Sequence, residues 1–320
     1  MILTHNYLCL PQGTVSVAEL LASQTTKTAV EIKKTIEITG VQTLSVSSEK
    51  RFAAFVASAF KVLAEQAHAP LEGVDAILVV SQSYDRRIPT VSTELQGQIH
   101  AAADTFCMDL TDGCAGYIKA CALAHLLLGQ GRKKVVVVAG DLNSLMTADA
   151  EVSTRILFGD GVAVSVFEHS RDPFNYQLFN DGANGKHILC QVDRSVMEMN
   201  GFEVFRFTRN VVPSLMKEYL SQHQLTHQHF DYVGYHQASN LIVSTLSKST
   251  GLSNAIVKDF ACGDIGNLGA GSIGAWIAKS NIEKATRSRM MAIGYGAGLS
   301  WGLCDFYMRL HSNEVVYVKD

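Results

Sequence analysis

No apolar run in the chain approaches the roughly 18 residues that cross a bilayer; the longest, Val135 to Ala139 and Ala122 to Leu128, are far shorter. The opening stretch MILTHNYLCLPQG lacks a cationic segment, so neither export nor membrane insertion is expected. Proline is scarce, with five residues at positions 11, 70, 89, 173 and 213, and no Pro- or Gly-rich linker or low-complexity stretch marks a domain boundary. An excess of basic charge is also missing: 27 Lys and Arg stand against 30 Asp and Glu, and only 18% of residues are charged. Nucleic acid is therefore not an expected partner. The seven cysteines include no CxxC pair and are odd in number, which points to free thiols in a reducing, cytoplasmic setting rather than to a disulfide framework. The chain is instead rich in apolar residues, 47% of 320, enough to bury the core of one large or two medium domains.

Short β-branched runs stand out at Val74 to Ser81, Lys134 to Asp141 and Val162 to Glu168 and read as strands. Between the first two lie Thr90 to Ala103 and Cys114 to Gly129, whose apolar spacing predicts helices, the second amphipathic and closed by Gly129 and Gly131. Strands alternating with helices imply parallel βαβ units and an α/β sheet covered on both faces. The second half repeats the programme with Phe230 to His236, Arg289 to Gly296 and Ser300 to Met308. Each half also carries an extended segment leading to a sharp turn, Phe106 to Leu110 before Asp112-Gly113-Cys114 and Val257 to Cys262 before Gly266-Asn267. An internal duplication accounts for both sets. A pseudo-twofold packing of two similar sheets would then bring Cys114 and Asn267 together.

Three residues carry candidate chemistry. Cys114 sits where a strand ends and a helix is predicted to begin, a place where the helix dipole favours a thiolate nucleophile. His236 ends the strand YVGYH, and the C-terminal ends of strands are where α/β sheets keep their sites. Asn267, in GDIGNLGAGSIGAWIA, offers an amide donor suited to an oxyanion. The plainer readings are a small buried thiol, a core histidine bonded to a carbonyl, and a turn-forming asparagine. Cys107, Cys121 and Cys262 lie inside strand or helix patterns and read as structural. Gly269, Gly271 and Gly274 spell a dinucleotide fingerprint without the acidic residue it requires. His223, His227 and His229 have no carboxylate or cysteine to complete a metal set. Asp160, between glycines, reads as a turn residue.

Cys114 in DGCAGY, FGDG at 158–161, MNGFEVF at 199–205, HQAS at 236–239, GNLGAGSIG at 266–274 and GAGLSWG at 296–302 together resemble the β-ketoacyl-acyl-carrier-protein synthase III family of the thiolase fold. The resemblance runs from about residue 70 onward. It implies duplicated βαβαβαββ halves in a five-layered αβαβα arrangement, with 1–170 carrying the cysteine and 171–320 the histidine and asparagine. It further implies that Cys114 takes an acyl group as a thioester. His236 and Asn267 would hold a malonyl-type extender while it loses CO2, and the N–H groups of Cys114 and Gly298 would form the oxyanion hole. Substrates would be acyl-carrier-protein or acyl-CoA thioesters, with no metal or cofactor. The assembly would be a homodimer in which Ile88, before Pro89, reaches the partner's acyl tunnel. Leu142, Leu157, Leu189, Phe205 and Phe207 are further candidate tunnel walls.

The chain also departs from the family pattern. In Glu31 to Val41, Lys34 and Ile38 replace the tryptophan and arginine that clamp the CoA adenine; HQAS replaces HQAN, with Asn240 one position late; and Val152 replaces an arginine, with Arg155 nearby. These departures favour a primer on a carrier protein, or an unusual CoA ester, and a specialised-metabolism member. Two other activities fit the same residues: acyl transfer to an alcohol or amine without decarboxylation, and a non-catalytic partner subunit of a heteromeric ketosynthase.

Overall fold

The computed structural model describes residues 1–65, 71–147, 151–191, 196–252, 257 and 260–319. In one half, β1 (Ile2–Pro11) and the β2–β3 pair (Thr14–Ser16, Thr43–Ser45) precede β4 (Ala76–Val80), β5 (Phe106–Leu110), β6 (Lys134–Leu142) and β7 (Asp160–Glu168). In the other, β8 (Asn175–Asn180) and the β9–β10 pair (Ile188–Cys190, Met197–Met199) precede β11 (Tyr232–Tyr235), β12 (Ser288–Gly296) and β13 (Ser300–Val318). The helices used below are α1 (Val17–Gln24), α2 (Ala29–Thr39), α3 (Phe52–Glu65), α4 (Val91–Gln98), α5 (Gly116–Gly129), α6 (Val152–Arg155), α7 (Gly201–Gln222), α8 (Asn240–Thr250) and α9 (Ser272–Lys279).

The duplication is visible in the pairing. β4 runs parallel to β6, β6 antiparallel to β7, and β7 antiparallel to β1; β11, β12, β13 and β8 repeat these relations in order. The two similar sheets are joined at their edges: the last strand runs on past Met308 to Val318 and pairs in parallel with β1, making both wings one nine-stranded ladder. The expected extended segment Val257 to Cys262 also fails: Val257 is helical, residues 261–265 are turns, and 258–259 lie outside the described residues. Small residues there favour a turn pressed against Gly40 and Phe158 over a strand.

Alternation along the strands creates the layers. Ala76, Leu78 and Val80 on β4 and Met290 and Ala292 on β12 face one inner core containing Tyr117, Ile118, Cys121 and Leu128 of α5 and Ile273, Trp276 and Ile277 of α9. Ile77 and Val79 face the opposite way onto α3 and α4, and Met291 and Ile293 onto α7 and α8. Two outer helix layers, two sheet wings and a central helix layer result. The central position explains why α5 is not the amphipathic helix expected: Tyr117, Ile118, Ala120, Cys121, Ala122, Ala124 and Leu128 are all buried between two sheets rather than on one stripe. Glycines let α9 press close, since a Cβ on Gly274 would lie 2.3 Å from the Ala163 Cβ and one on Gly271 2.6 Å from the Ala139 carbonyl oxygen. The G-x-G-x-x-G spacing thus serves helix packing.

Candidate active site

Cys114 stands on the turn between β5 and α5. The turn is held by Gly113 N–H donating to Asp112 Oδ1 at 2.9 Å and Gly116 N–H donating to the Gly113 carbonyl at 2.7 Å. The end of β12 forms the facing wall. A Cβ on Gly294 would lie 2.9 Å from the Ala115 Cα, and one on Gly296, whose φ is +152°, 2.8 Å from the Cys114 sulfur. Only glycine admits the thiol at that distance.

Cys114 precedes the helix by two residues, so α5 starts later than expected. Burial pushes the thiol up to about 12, and the charges of Asp141 and Asp112 act in the same direction against hydrogen bonds from Ala297 and its own backbone. Desolvation is the largest influence on the thiol and favours its neutral form, opposite to the thiolate that a helix terminus would favour. Below that value each unit of pH multiplies the thiolate fraction tenfold. Iodoacetamide alkylation of Cys114, followed by peptide mass spectrometry, should rise about tenfold per unit from pH 7 to pH 10 without a plateau.

His236 leaves β11 with its N–H on the Ile293 carbonyl at 2.8 Å, while the Tyr295 hydroxyl donates to the His236 carbonyl at 2.7 Å. Its Nδ1 lies 2.5 Å from the Ser272 hydroxyl, which itself accepts the Gln237 N–H at 3.2 Å. When the Ser272 hydroxyl donates to Nδ1, the neutral imidazole carries its hydrogen on Nε2. The ring is only 2% exposed, and burial lowers it to about 3, so it works as a neutral donor.

Asn267 is bound at both backbone ends: its N–H donates to the Leu157 carbonyl at 2.8 Å, and its carbonyl accepts Gly159 N–H at 3.1 Å. Its Oδ1 accepts Gly269 N–H at 3.0 Å, which turns the NH2 group the other way as a donor. The FGDG segment supports this turn. Asp160 accepts Ser144 N–H at 2.8 Å, Ser144 Oγ at 2.7 Å and Ser47 N–H at 2.9 Å, a structural pin as its sequence context suggested.

The sequence reading missed Asp141, Ser272, Tyr295 and Ala297, although each adjoins a motif it had singled out. Asp141 is fully buried at the end of β6, with Oδ1 accepting Ser81 Oγ at 2.7 Å, Gln82 N–H at 2.6 Å and Ser83 N–H at 3.1 Å; its Oδ2 faces the Gly269 Cα region. Burial raises its carboxyl above the ordinary range. Asp141 thereby ties the end of β6 to the segment that follows β4, with Oδ2 buried and without a hydrogen-bond partner among the described residues.

The loop expected to supply an oxyanion donor, Gly296 to Gly302, does approach Cys114. The loop N–H directed at the Cys114 sulfur is that of Ala297, whereas Gly298, with φ +126°, lies against Ser300 Oγ and sends its carbonyl toward Gly185. The candidate tunnel residues lie in differing surroundings. Leu142 is fully buried in the outer core with Val79 and Val138, because it ends β6 on the outward face. Ile88 is 83% exposed and Leu189 39% exposed. Leu157 and Phe205 are half-buried, Leu157 beside Asn267, and Phe207 packs edge-on against Trp301. Ser239 of HQAS caps α8 by accepting Ile242 N–H at 3.3 Å. His223 stacks on Tyr219 and His229 binds Thr226 N–H; among the described residues no cluster of three His, Cys, Asp or Glu side chains is placed to hold a metal.

A family model described as 3-oxoacyl-[acyl-carrier-protein (ACP)] synthase III matches residues 108–185, which include Cys114, and the C-terminal model of the same description matches 220–306, which include His236 and Asn267. A beta-ketoacyl-[acyl-carrier-protein] synthase III of Staphylococcus aureus strain JH1 is 28% identical over 237 residues, covering 72% of this chain and 75% of the relative. The crystal structure of a 3-oxoacyl-(acyl-carrier protein) synthase from Burkholderia xenovorans LB400 superposes with a TM-score of 0.90 at 23% identity, covering 99% of this chain and 97% of that one. The priming β-ketosynthase of the R1128 polyketide biosynthetic pathway gives 0.83 at 21% identity, covering 96% and 97%.

Proposed function

Since the chain belongs to the 3-oxoacyl-[acyl-carrier-protein] synthase III family, we propose that it is a decarboxylating condensing enzyme that carries its acyl intermediate on Cys114. The Cys114 sulfur attacks the carbonyl carbon of an acyl thioester, the bond to the departing sulfur breaks, and the thiol proton leaves with the departing thiolate. The carbonyl of a malonyl-type thioester then sits on His236 Nε2–H and the Asn267 NH2. Its carbon–carboxylate bond breaks, CO2 departs, and the electron pair becomes an enolate held by those two donors. The enolate carbon attacks the acyl-cysteine; the Cys114 and Ala297 N–H groups receive the transient oxyanion, and collapse releases the Cys114 thiolate, which regains a proton.

The observation that supports this reading is the Ser272–His236 contact, which engages Nδ1 of a buried imidazole and leaves Nε2 for a substrate carbonyl, with Asn267 as the proposed second donor. Acyl transfer to an alcohol or amine needs a base to take the nucleophile's proton, and an imidazole lowered to about 3 is a poor one. Retention of Cys114 argues against a partner subunit without catalysis. The test is intact-protein mass spectrometry with acyl-CoA and acyl-carrier-protein thioesters, followed by malonyl carrier protein. An adduct on Cys114 discharged with CO2 release supports condensation; an adduct that leaves only with an alcohol or amine replaces it with acyl transfer. Lys34 and Ile38 lie on α2, a helix without a buried residue, which supports a carrier-bound primer over one clamped by its adenine.

A homodimer fits the same half of the molecule. Among the described residues β5 ends the ladder with an unpaired edge, Met108 on it is 38% exposed, and Ile88, just before the α4 helix that packs on β5, is 83% exposed, an arrangement that a second copy would cover. Sedimentation should give twice the 34.8 kDa of the chain, and Met108→Lys should weaken the dimer about tenfold or more by burying an unpaired charge.

No helix among the described residues is long and apolar enough to cross a membrane.

A further inference from the structure

Lys119 is an anomaly in its helix. α5 is buried between two sheet wings, yet its first turn carries an ammonium group. A charge in such a place is costly unless it is paired, and Lys119 has three acceptors on three different segments. Its Nζ donates to Asp112 Oδ2 at 2.5 Å, to Ser300 Oγ at 3.3 Å and to Asn180 Oδ1 at 3.3 Å. The side chains of Lys119 and Asp112 are 25% and 19% exposed, so solvent screens the pair only in part.

Each acceptor sits on a structure that shapes the site. Asp112 uses its other oxygen to hold Gly113 N–H, and the next residue is Cys114. Ser300 follows the loop of Ala297 to Leu299, donates to Asn180 Oδ1 at 2.9 Å, and its hydroxyl is the atom nearest the Gly298 Cα face. Asn180 is paired with Ser300 across the β8–β13 ladder. The lysine therefore spans the two halves of the molecule, from the turn of the candidate nucleophile to the loop that presents Ala297 N–H.

Building on the reading of Cys114 as the acyl carrier, we propose that Lys119 is a positioning residue for acyl loading, fixing the Cys114 turn against the Ala297–Ser300 loop and neutralising the Asp112 carboxylate beside the thiol. It touches neither substrate nor the reacting sulfur. A misplacement of about 1 Å between reacting groups costs roughly 10²-fold in rate, and two backbone donors on separate loops are exposed to such an error unless something ties the loops together.

The test is single-turnover loading of a short acyl thioester, followed by intact mass, on Lys119→Met, Asp112→Asn, Ser300→Ala and the Lys119→Met/Asp112→Asn pair. Lys119→Met should load about tenfold or more slowly at saturation, with the half-saturating concentration changed by less than about twofold. Ser300→Ala should show part of that loss, and the double variant should be no slower than the slower single one, since the two groups act as a unit. Iodoacetamide alkylation of Cys114 gives a second readout that needs no thioester. Lys119→Met should slow it, because the Asp112 charge then stands uncompensated, and Asp112→Asn should speed it. Loading and alkylation of Lys119→Met within about twofold of the parent would overturn the proposal. So would alkylation changes of the same sign in both single variants, the mark of a turn that has merely loosened. If alkylation changes with the opposite signs stated here but the parent chain accepts no thioester, the condensing reading fails and the clamp stands.

Discussion

Cys114→Ala is expected to take no acyl adduct from any thioester and to lose condensation by about 10⁴-fold or more, the scale on which removal of a covalent nucleophile acts. The loss should come without unfolding. The substituted atom lies on a turn held by the backbone bonds of Gly113 and Gly116, and none of those bonds uses the sulfur. Thermal stability should therefore stay within about 1 kcal/mol of the parent. Alanine at Cys107, Cys121 or Cys190 is the control, since the first lies on β5, the second in the inner core and the third on the surface strand β9. Intact mass after acyl-thioester incubation reads the result. An adduct that persists in Cys114→Ala would move the acyl carrier elsewhere.

The second large effect separates the two half-reactions. Asn267→Ala and His236→Ala are each expected to load Cys114 at a rate within a few-fold of the parent, but to lose condensation by about 10² to 10³, the effect of removing one donor from a developing oxyanion. The asymmetry follows from the site. On the proposed mechanism, loading uses the donors around Cys114, namely its own N–H and that of Ala297, whereas decarboxylation uses the His236 imidazole and the Asn267 amide. Ser272→Ala should lower condensation by a smaller factor, because it frees the tautomer without removing the ring. Each variant also leaves a buried partner unmatched, Gly269 N–H in one and the Ser272 hydroxyl in the other, so a stability loss of about 1 to 3 kcal/mol should accompany the kinetic change. Pre-loaded enzyme mixed with malonyl carrier protein, with CO2 release and residual acyl-enzyme both measured, distinguishes these outcomes. Equal loss of loading and condensation would contradict the division of labour.

Much of this arrangement was legible in the residues themselves. Phe106 to Leu110 is a strand at the expected bounds, the three-strand set recurs in both halves, and Cys114 and His236 fall close to the ends of strands, as their motifs imply, while Asn267 lies just past a turn, in an isolated bridge to Phe158. These features depend on local order: β-branched runs form strands, and glycines mark where two backbones meet. The departures arise where a remote contact decides. Thr90 to Ala103 shortens to a helix at Val91–Gln98 because the chain turns at His100, whose φ is +53°. Leu142 carries the composition of a tunnel wall, but the phase of β6 turns it into the outer core.

The sequence by itself determined the α/β class and the duplication, because both are written in short runs of residue types whose preferences act over a few positions, and it nominated Cys114, His236 and Asn267 through the resemblance of their motifs to the family's. Tertiary structure alone decided the protonation and aim of those groups. Cys114 is held as a thiol by burial and by Asp141, which arrives from another strand; His236 is oriented by Ser272, 36 residues away; Ala297 rather than Gly298 faces the sulfur because of how one loop packs on another. Charge state and hydrogen-bond direction depend on which groups displace water around an atom, and here those groups come from distant parts of the chain.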